Sequence, residues 1–274
     1  MVMSIQTNVA SLNAQKNLFQ TQMKLETSMS RLSSGFRITK AGDDAAGLGV
    51  SSNLVAQIRS YGQASRNAAD GVSVVQTAEG ALAEVTNILT RMRELAMQSA
   101  SDGIRDAERA YVQTENAALI QEIDRIADTA EFNGVNLLNT AATTLDFQVG
   151  IRATANDIIS ITTTDAQAAA LGVSALSMAT KAGATASLVA IDTALGTLSN
   201  TRSNFGAVGN RLSSVMTSIQ NASENLSAAN SRIRDVDVAE ETSAMTRSNV
   251  LLQAGVSVLA QANQAPQIAL KLLG

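Results

Sequence analysis

Three short stretches hold the residue types from which a chemical site could be built. In "GDDAAGL", residues 42–48, Asp43 and Asp44 stand together before an alanine-rich helical start. Calcium would need further oxygen ligands at loop spacing, and none follow. The same carboxylates suit a helix N-cap, where an oxygen accepts from the first unpaired backbone N–H groups. "GLGVS", residues 47–51, offers two glycines but no strand before them, so it reads as close packing or a bend rather than a phosphate cradle. "DVDVAEE", residues 235–241, spaces Asp235, Asp237, Glu240 and Glu241 as a helix face does rather than as a metal loop.

Cysteine and histidine are both absent. Their absence removes disulfides, Cys/His zinc sites, thiolate nucleophiles and all imidazole acid–base chemistry. No P-loop or HExxH is present either. The expectation is a chain that is not an enzyme and holds no cofactor or metal.

The 274 residues carry a net charge of −4, 45% hydrophobic residues and only 3% aromatics, with no tryptophan. Large aromatics supply much of the area a globular core buries. A chain leaning on Ala, Leu, Ile, Val and Met suits helix-on-helix packing. The mild acidity, with scattered basic residues and no stacking platforms, argues against nucleic-acid binding. The opening "MVMSIQTNVASLNAQKNL" has no basic segment leading into an apolar one, so no cleaved secretory signal is expected. Residues 251–274 hold one charged side chain, Lys271, and the only proline, Pro266. Gln253, Gln261, Asn263, Gln264 and Gln267 interrupt them, and lipid would leave those amides unsatisfied, so no membrane span is expected.

Apolar residues recur with helical period along most of the chain. One seam runs Val208, Leu212, Val215, Ile219, Ala222, Leu226, Ala229, Ile233, alternating steps of four and three as coiled coils do. Others run Val75, Leu82, Val85, Leu89, Met92, Ala96; Leu25, Met29, Leu32, Phe36; and Leu188, Ile191, Leu195, Leu198. A helix is expected to end at Asp102-Gly103, with Asp106 capping the next, over about 107–129. Asn133-Gly134 signals a turn. "LDFQVGIRATANDIISITTTD" alternates apolar and polar residues and predicts a β-hairpin near 145–165. Residues 166–186 read as an indistinct connection or weak helix. The fold class is mostly α: an elongated helical bundle or coiled coil with a small β-hairpin element and paired termini.

Charge points to the same pairing. Residues 1–42 carry five basic side chains against one acidic, and residues 235–249 four acidic against one basic. Antiparallel pairing would bring Arg31, Arg37 and Lys40 beside Asp235, Asp237, Glu240 and Glu241 and help fix register.

"SIQTNVASLNAQKNL", "RLSSGFRITKAGDDAAGLGVS" and "RNAADGVSVVQTAEGAL" resemble the N-terminal signature of bacterial flagellins. "ENLSAANSRIRDVDVAEETSAMTRSNVLLQAGVSVLAQANQAPQIALKLL" resembles the C-terminal one. The resemblance covers residues 4–150 and 186–273. Gln6 stands where the family commonly has Asn, and the middle of the chain lacks the bulky variable domains many members insert.

The resemblance implies a structural subunit that polymerises into the helical flagellar filament used for motility. The terminal segments, 1–44 with 234–274, would form an inner coiled-coil domain, and 45–233 a helical shell. Filament core packing would fall to Ile5, Val9, Leu12, Leu25, Met29, Leu32, Leu252, Val256, Leu259, Ile268 and Leu272, with terminal segments that order on assembly. It further implies secretion through the flagellar export apparatus to an extracellular filament. A chaperone would clasp Val250 to Leu273, through Val250, Leu251, Leu259, Leu270 and Leu273. Filament cap and hook-associated proteins would be further partners. A surface for the vertebrate innate flagellin receptor would include Arg91, Leu95 and Glu115. The alternatives are the hook–filament junction protein, which shares parts of these patterns, and a coiled-coil receptor segment, which would need an effector domain or membrane span.

Overall fold

The computed structural model describes residues 7–139 and 142–271, with side chains as far as residue 264. Five helices carry the chain: α1 (Val9–Ser34), α2 (Ala45–Ser99), α3 (Asp106–Thr129), α4 (Lys181–Arg234) and α5 (Val238–Lys271). Between α3 and α4 lie four short strands, β1 (Glu131–Phe132), β2 (Val135–Asn136), β3 (Thr144–Gln148) and β4 (Ile158–Thr162). The chain divides into two compact units: a terminal one of residues 1–56 with 225–274, and a central one of residues 57–224.

Helix boundaries follow local chemistry. Asn8 caps α1 by accepting from Ser11 N–H at 3.1 Å. Gly35 closes it in the left-handed region, at φ 73°, with its N–H donating to Arg31 O. Of the two aspartates before α2, only Asp44 caps the helix, and Asp43 closes the loop that precedes it. Asp43 Oδ2 accepts from the N–H groups of Thr39 and Lys40 and from the Thr39 hydroxyl, and Asp44 Oδ1 accepts from Gly47 N–H at 2.8 Å. The hydrogen bonds from Lys40 and Thr39 hold the Asp43 carboxyl below the usual carboxylate range. Gly47 is required there, since a Cβ would collide with the Asp44 carboxylate and come within 2.8 Å of Ile38 Cδ1.

The α2–α3 corner differs from the sequence reading. α2 ends at Ser99, before Asp102-Gly103, because the buried Arg109 reaches back and donates to Ser99 O at 2.8 Å and Ser101 O at 2.9 Å. Asp106 is the first residue of α3 rather than its cap, since Arg105 still has extended geometry. The Glu108 carboxylate accepts from Arg105 N–H, and Asp106 instead pairs with Arg109 at 2.6 Å.

The central unit has a core of its own. Leu82, Val85, Leu89 and Met92 of α2, Ile123 of α3, and Ile191, Leu198 and Leu212 of α4 are buried in one cluster. The β3–β4 hairpin, paired from Thr144↔Thr162 to Gln148↔Ile158, turns Ile159 and Ile161 into it. Gly71 lets α2, α4 and β3 converge; a Cβ there would meet Leu212 at 3.1 Å and Phe147 at 3.3 Å. Asn133 and Gly134, both at positive φ, form the two-residue turn joining β1 to β2. Residues 163–180 are irregular yet contribute the buried Ala166, Ala168, Val173 and Met178. Ala166 N–H donates to Leu138 O, Ala168 N–H to Asp124 Oδ1 and Met178 N–H to Gln113 Oε1.

Candidate functional site

The terminal unit is built on an antiparallel pair, α1 against α5. Ser11 Oγ donates to Asn263 Oδ1 at 2.8 Å, and Asn8 Nδ2 to Ala262 O at 2.7 Å. Leu18 Cδ1 sits 2.8 Å from where a Cβ on Gly255 would be, and Arg31 approaches Glu241 at 3.7 Å. These pairs advance along α1 as they retreat along α5, which fixes the register.

The seam is heptad-spaced on both helices. On α1 it reads Ser11, Ala14, Leu18, Thr21, Leu25, Ser28, Leu32; on α5, Glu241, Met245, Ser248, Leu252, Gly255, Leu259, Ala262. All are buried or half-buried. Small residues hold about half of these positions, so the axes approach closely while little apolar area is covered. Among the described residues of the terminal unit, Ile38 is the only buried hydrophobic; the remaining buried positions are serines.

Each helix also carries apolar residues outside the seam. Val9, Leu12, Phe19 and Met23 continue at three- and four-residue steps through Lys16, 53–64% exposed. On α5, Val250, Leu251, Val256 and Val258 are 52–59% exposed. A helix pair of this kind is unfinished: its stability in water depends on burying an apolar face, and most of that face has no cover.

The residues expected to pack the filament core divide accordingly. Leu25, Leu32, Leu252 and Leu259 lie half-buried in the seam, while Val9, Leu12, Met29 and Val256 are exposed. Ile5 and Leu272 lie outside the described residues, as does the side chain of Ile268. Of the chaperone residues, Val250 and Leu251 are exposed and Leu259 half-buried; Leu273 and the Leu270 side chain lie outside the described residues. Phe19, Met23 and Val258 were not singled out from sequence; Lys16 breaks the three- and four-residue spacing that links Phe19 and Met23 to Val9 and Leu12.

The terminal charges mostly serve local ends. Arg31 and Glu241 form the one cross-helix ion pair among the described residues of this unit. Arg37 donates to Ile233 O at 2.7 Å, and Asp237 caps α5, accepting from Ala239 and Glu240 N–H groups. Lys40 and Glu240 are exposed. Asp235 pairs through its backbone, opposite Phe36 in a short antiparallel bridge. There Arg37 N–H donates to Arg234 O, Val236 N–H donates to Gly35 O, and the Arg234 guanidinium covers the Phe36 ring at 4.2 Å.

In the central unit, Arg91 bridges Glu94 and Glu115, both at 2.9 Å. Its pKa is raised by the hydrogen bonds it donates to Glu94 first and Glu115 second. Leu95, expected on the same surface, is 2% exposed and belongs to the core. α2 packs on more than one neighbour, and the buried stripe widens to include it. Among the described residues no cluster of three or more potential metal ligands occurs, and no helix is long and apolar enough to cross a membrane.

Comparison with known proteins gives this geometry a context. The bacterial flagellin N-terminal helical region matches residues 5–143, and the C-terminal helical region matches residues 188–273. A flagellin of Halalkalibacterium halodurans is 45% identical over 271 residues, covering 99% of this chain and all of that relative. The flagellar filament 33 kDa core protein of Treponema phagedenis is 42% identical, and a flagellin of Bacillus subtilis 40%; each alignment covers 99% of this chain and the whole relative. The crystal structure of Bacillus cereus flagellin superposes with a TM-score of 0.50 at 29% identity, covering 60% of this chain and 94% of that one. A putative flagellar hook-associated protein from Vibrio parahaemolyticus reaches 0.58 at 16% identity, over 70% of this chain and all of the other, and shares the fold alone.

Proposed function

This chain belongs to the bacterial flagellins, and from that premise we propose that α1 and α5 are its polymerisation element, closing their uncovered apolar faces against further copies of the same chain. The protein is a structural subunit of the flagellar filament, the extracellular propeller of bacterial motility. One observation carries the polymerisation reading. The terminal unit buries a single hydrophobic side chain among its described residues, while Val9, Leu12, Phe19, Met23 and their counterparts on α5 stand in water. Fully burying an aliphatic or phenyl side chain contributes about 1.5–3 kcal/mol. Repeated over two helices, that gain outweighs the cost of ordering them.

On this reading residues 1–44 with 234–274 make up the terminal coiled-coil domain, and 45–233 the helical domain. The terminal segments order as subunits add. Subunits leave the cell through the flagellar export channel, where a chain without cysteine forms no disulfide in transit. Before export, a chaperone covers the C-terminal apolar segment around Val250 and Leu251, which are exposed in the separate chain. Cap and hook-associated proteins meet the filament at its ends. Arg91 and Glu115, exposed and paired, supply the polar part of a surface for the vertebrate innate receptor. Receptor signalling by monomer should fall on Arg91→Ala; an unchanged response removes this assignment.

Seeded growth, followed by electron microscopy, tests the central claim with the full chain beside a version truncated after Asn249. Filaments from the full chain alone are expected. Filaments from both would discard the role given to α5, and none from either, with seeds intact, would favour the hook–filament junction protein.

A further inference from the structure

The chain contains nine methionines and neither cysteine nor tryptophan. A two-electron oxidant such as hydrogen peroxide therefore meets thioethers as its main targets. Their accessibility differs widely. Met92 and Met178 are sealed in the central core, and Met216 and Met245 are half-buried. Met23, Met29 and Met97 are more than half exposed. Met97 lies on α2 in the central unit. Met23 and Met29 both lie on α1, and Met23 continues the exposed stripe of Val9, Leu12 and Phe19.

We propose that Met23 and Met29 form a peroxide-sensitive modification site, and that their oxidation to sulfoxide holds the chain in its unassembled form. The inference rests on α1 being a polymerisation surface. In the chemical step the thioether sulfur donates an electron pair to one peroxide oxygen and the O–O bond breaks. The other oxygen departs as hydroxide and takes up the proton shed by the oxygen now on sulfur, leaving sulfoxide and water; sulfur is oxidised and peroxide reduced, with nothing left over. A flexible apolar side chain becomes a polar one bearing a strong acceptor.

The consequence differs between the two states. In the separate chain the new oxygen is hydrated immediately, because both side chains already stand in water, and the fold is undisturbed. On assembly the same oxygen must give up that hydration wherever a neighbouring subunit covers α1, which disfavours the addition step. Burial works in the other direction as well: once a subunit is in place, peroxide no longer reaches the sulfur. Oxidation blocks assembly, and assembly blocks oxidation.

The test uses purified full-length monomer exposed to hydrogen peroxide, cleared of oxidant and offered to seeds, with sulfoxides located by peptide mass spectrometry. Met23, Met29 and Met97 should oxidise ahead of Met92 and Met178. The critical concentration for elongation should rise roughly tenfold or more, a shift typical of burying an unsatisfied acceptor. Methionine sulfoxide reductases of both epimer specificities should restore it. The double variant Met23→Leu with Met29→Leu conserves size and apolarity. It should keep elongating after peroxide although its Met97 is oxidised, and the two single variants should each give partial protection. Loss of elongation in the double variant after peroxide, or normal elongation of wild type with Met23 and Met29 oxidised, overturns the proposal. An untreated wild-type chain that adds to no seed refutes the polymerisation reading, and this inference with it.

Discussion

Phe19→Ala separates folding from assembly. The Phe19 ring is 64% exposed on α1, so in the separate chain it already stands mostly in water. Replacing it removes few internal contacts and places a better helix former at an exposed position. Monomer stability should therefore stay within about 0.5 kcal/mol of wild type. Assembly is another matter. Complete burial of such a side chain contributes about 1.5–3 kcal/mol, of which about two-thirds remains to be gained. The loss is then about 1–2 kcal/mol per subunit, and at about 1.4 kcal/mol per factor of ten the critical concentration rises roughly 5- to 30-fold. Seeded elongation assayed by sedimentation gives the critical concentration, and thermal melting by circular dichroism gives the stability. Leu25→Ala is the counterpart within the α1–α5 seam and should likewise raise the critical concentration, because the seam forms as the subunit adds. An unchanged critical concentration for Phe19→Ala would remove α1's outer stripe from the interface. An earlier melt with normal elongation would mean the ring supports the fold instead.

Gly255→Ala would place a Cβ 2.8 Å from Leu18 Cδ1, the free end of a side chain that can turn aside, and adds helix propensity; elongation at least equal to wild type is expected, and slower elongation with an unchanged central melt would contradict it. Arg109→Met leaves the carbonyls of Ser99 and Ser101 without their buried donor and should cost the central unit about 1.5–3 kcal/mol in chemical denaturation. The carboxyls of Asp102 and Asp192 are held below their ordinary value of 3.8, chiefly by hydrogen bonds from Lys181 and Arg93. A depressed folded pKa contributes stability above the unfolded value and loses it as pH falls through the folded one. Below about pH 4 the wild type should therefore lose stability more steeply than Asp102→Asn with Asp192→Asn, as read by acid unfolding; parallel curves would refute the linkage.

Periodicity made the long helices legible, because residues such as Leu82, Leu89 and Met92 bury one face at fixed steps. Asn133-Gly134 announced its turn for an equally local reason: both residues tolerate positive φ. What remained hidden depends on distant partners. The end of α2 is decided by Arg109, ten residues beyond it. The irregular stretch over 163–180 has no period to read, since its burial is fixed by Leu138 O, Asp124 and Gln113 on other elements. At the site, Leu25 and Leu32 of the α1 seam were readable, although the apolar period ran on through the exposed Met29 where Ser28 is buried instead. The second stripe of α1 was not, because Lys16 interrupts it and a single charge masks the spacing of Val9, Leu12, Phe19 and Met23. Among the proposed register charges, Asp237 illustrates the ambiguity of acidic residues near a helix start: the first backbone N–H groups of α5 were the nearer claimants.

The composition of the two uncovered faces bears on the kind of polymer they can make. Phe19 and Met23 give α1 a broad, adaptable stripe, whereas α5 offers Val250, Val256 and Val258, short and branched, with Leu251. Unlike faces do not complement themselves, so a two-fold dimer that matched each to its own copy would leave shape unmatched on both sides. Matching α1 of one subunit to α5 of another head to tail, rather than reciprocally in a closed pair, satisfies both faces along the row but leaves one of each free at the ends. Such a heterologous contact repeats, and where its rotation does not close a ring it generates an open helix. The small-residue seam makes this possible. By joining α1 to α5 closely while covering little of either, Ser11, Ser28, Ser248 and Gly255 leave most of the apolar surface for neighbouring subunits to bury.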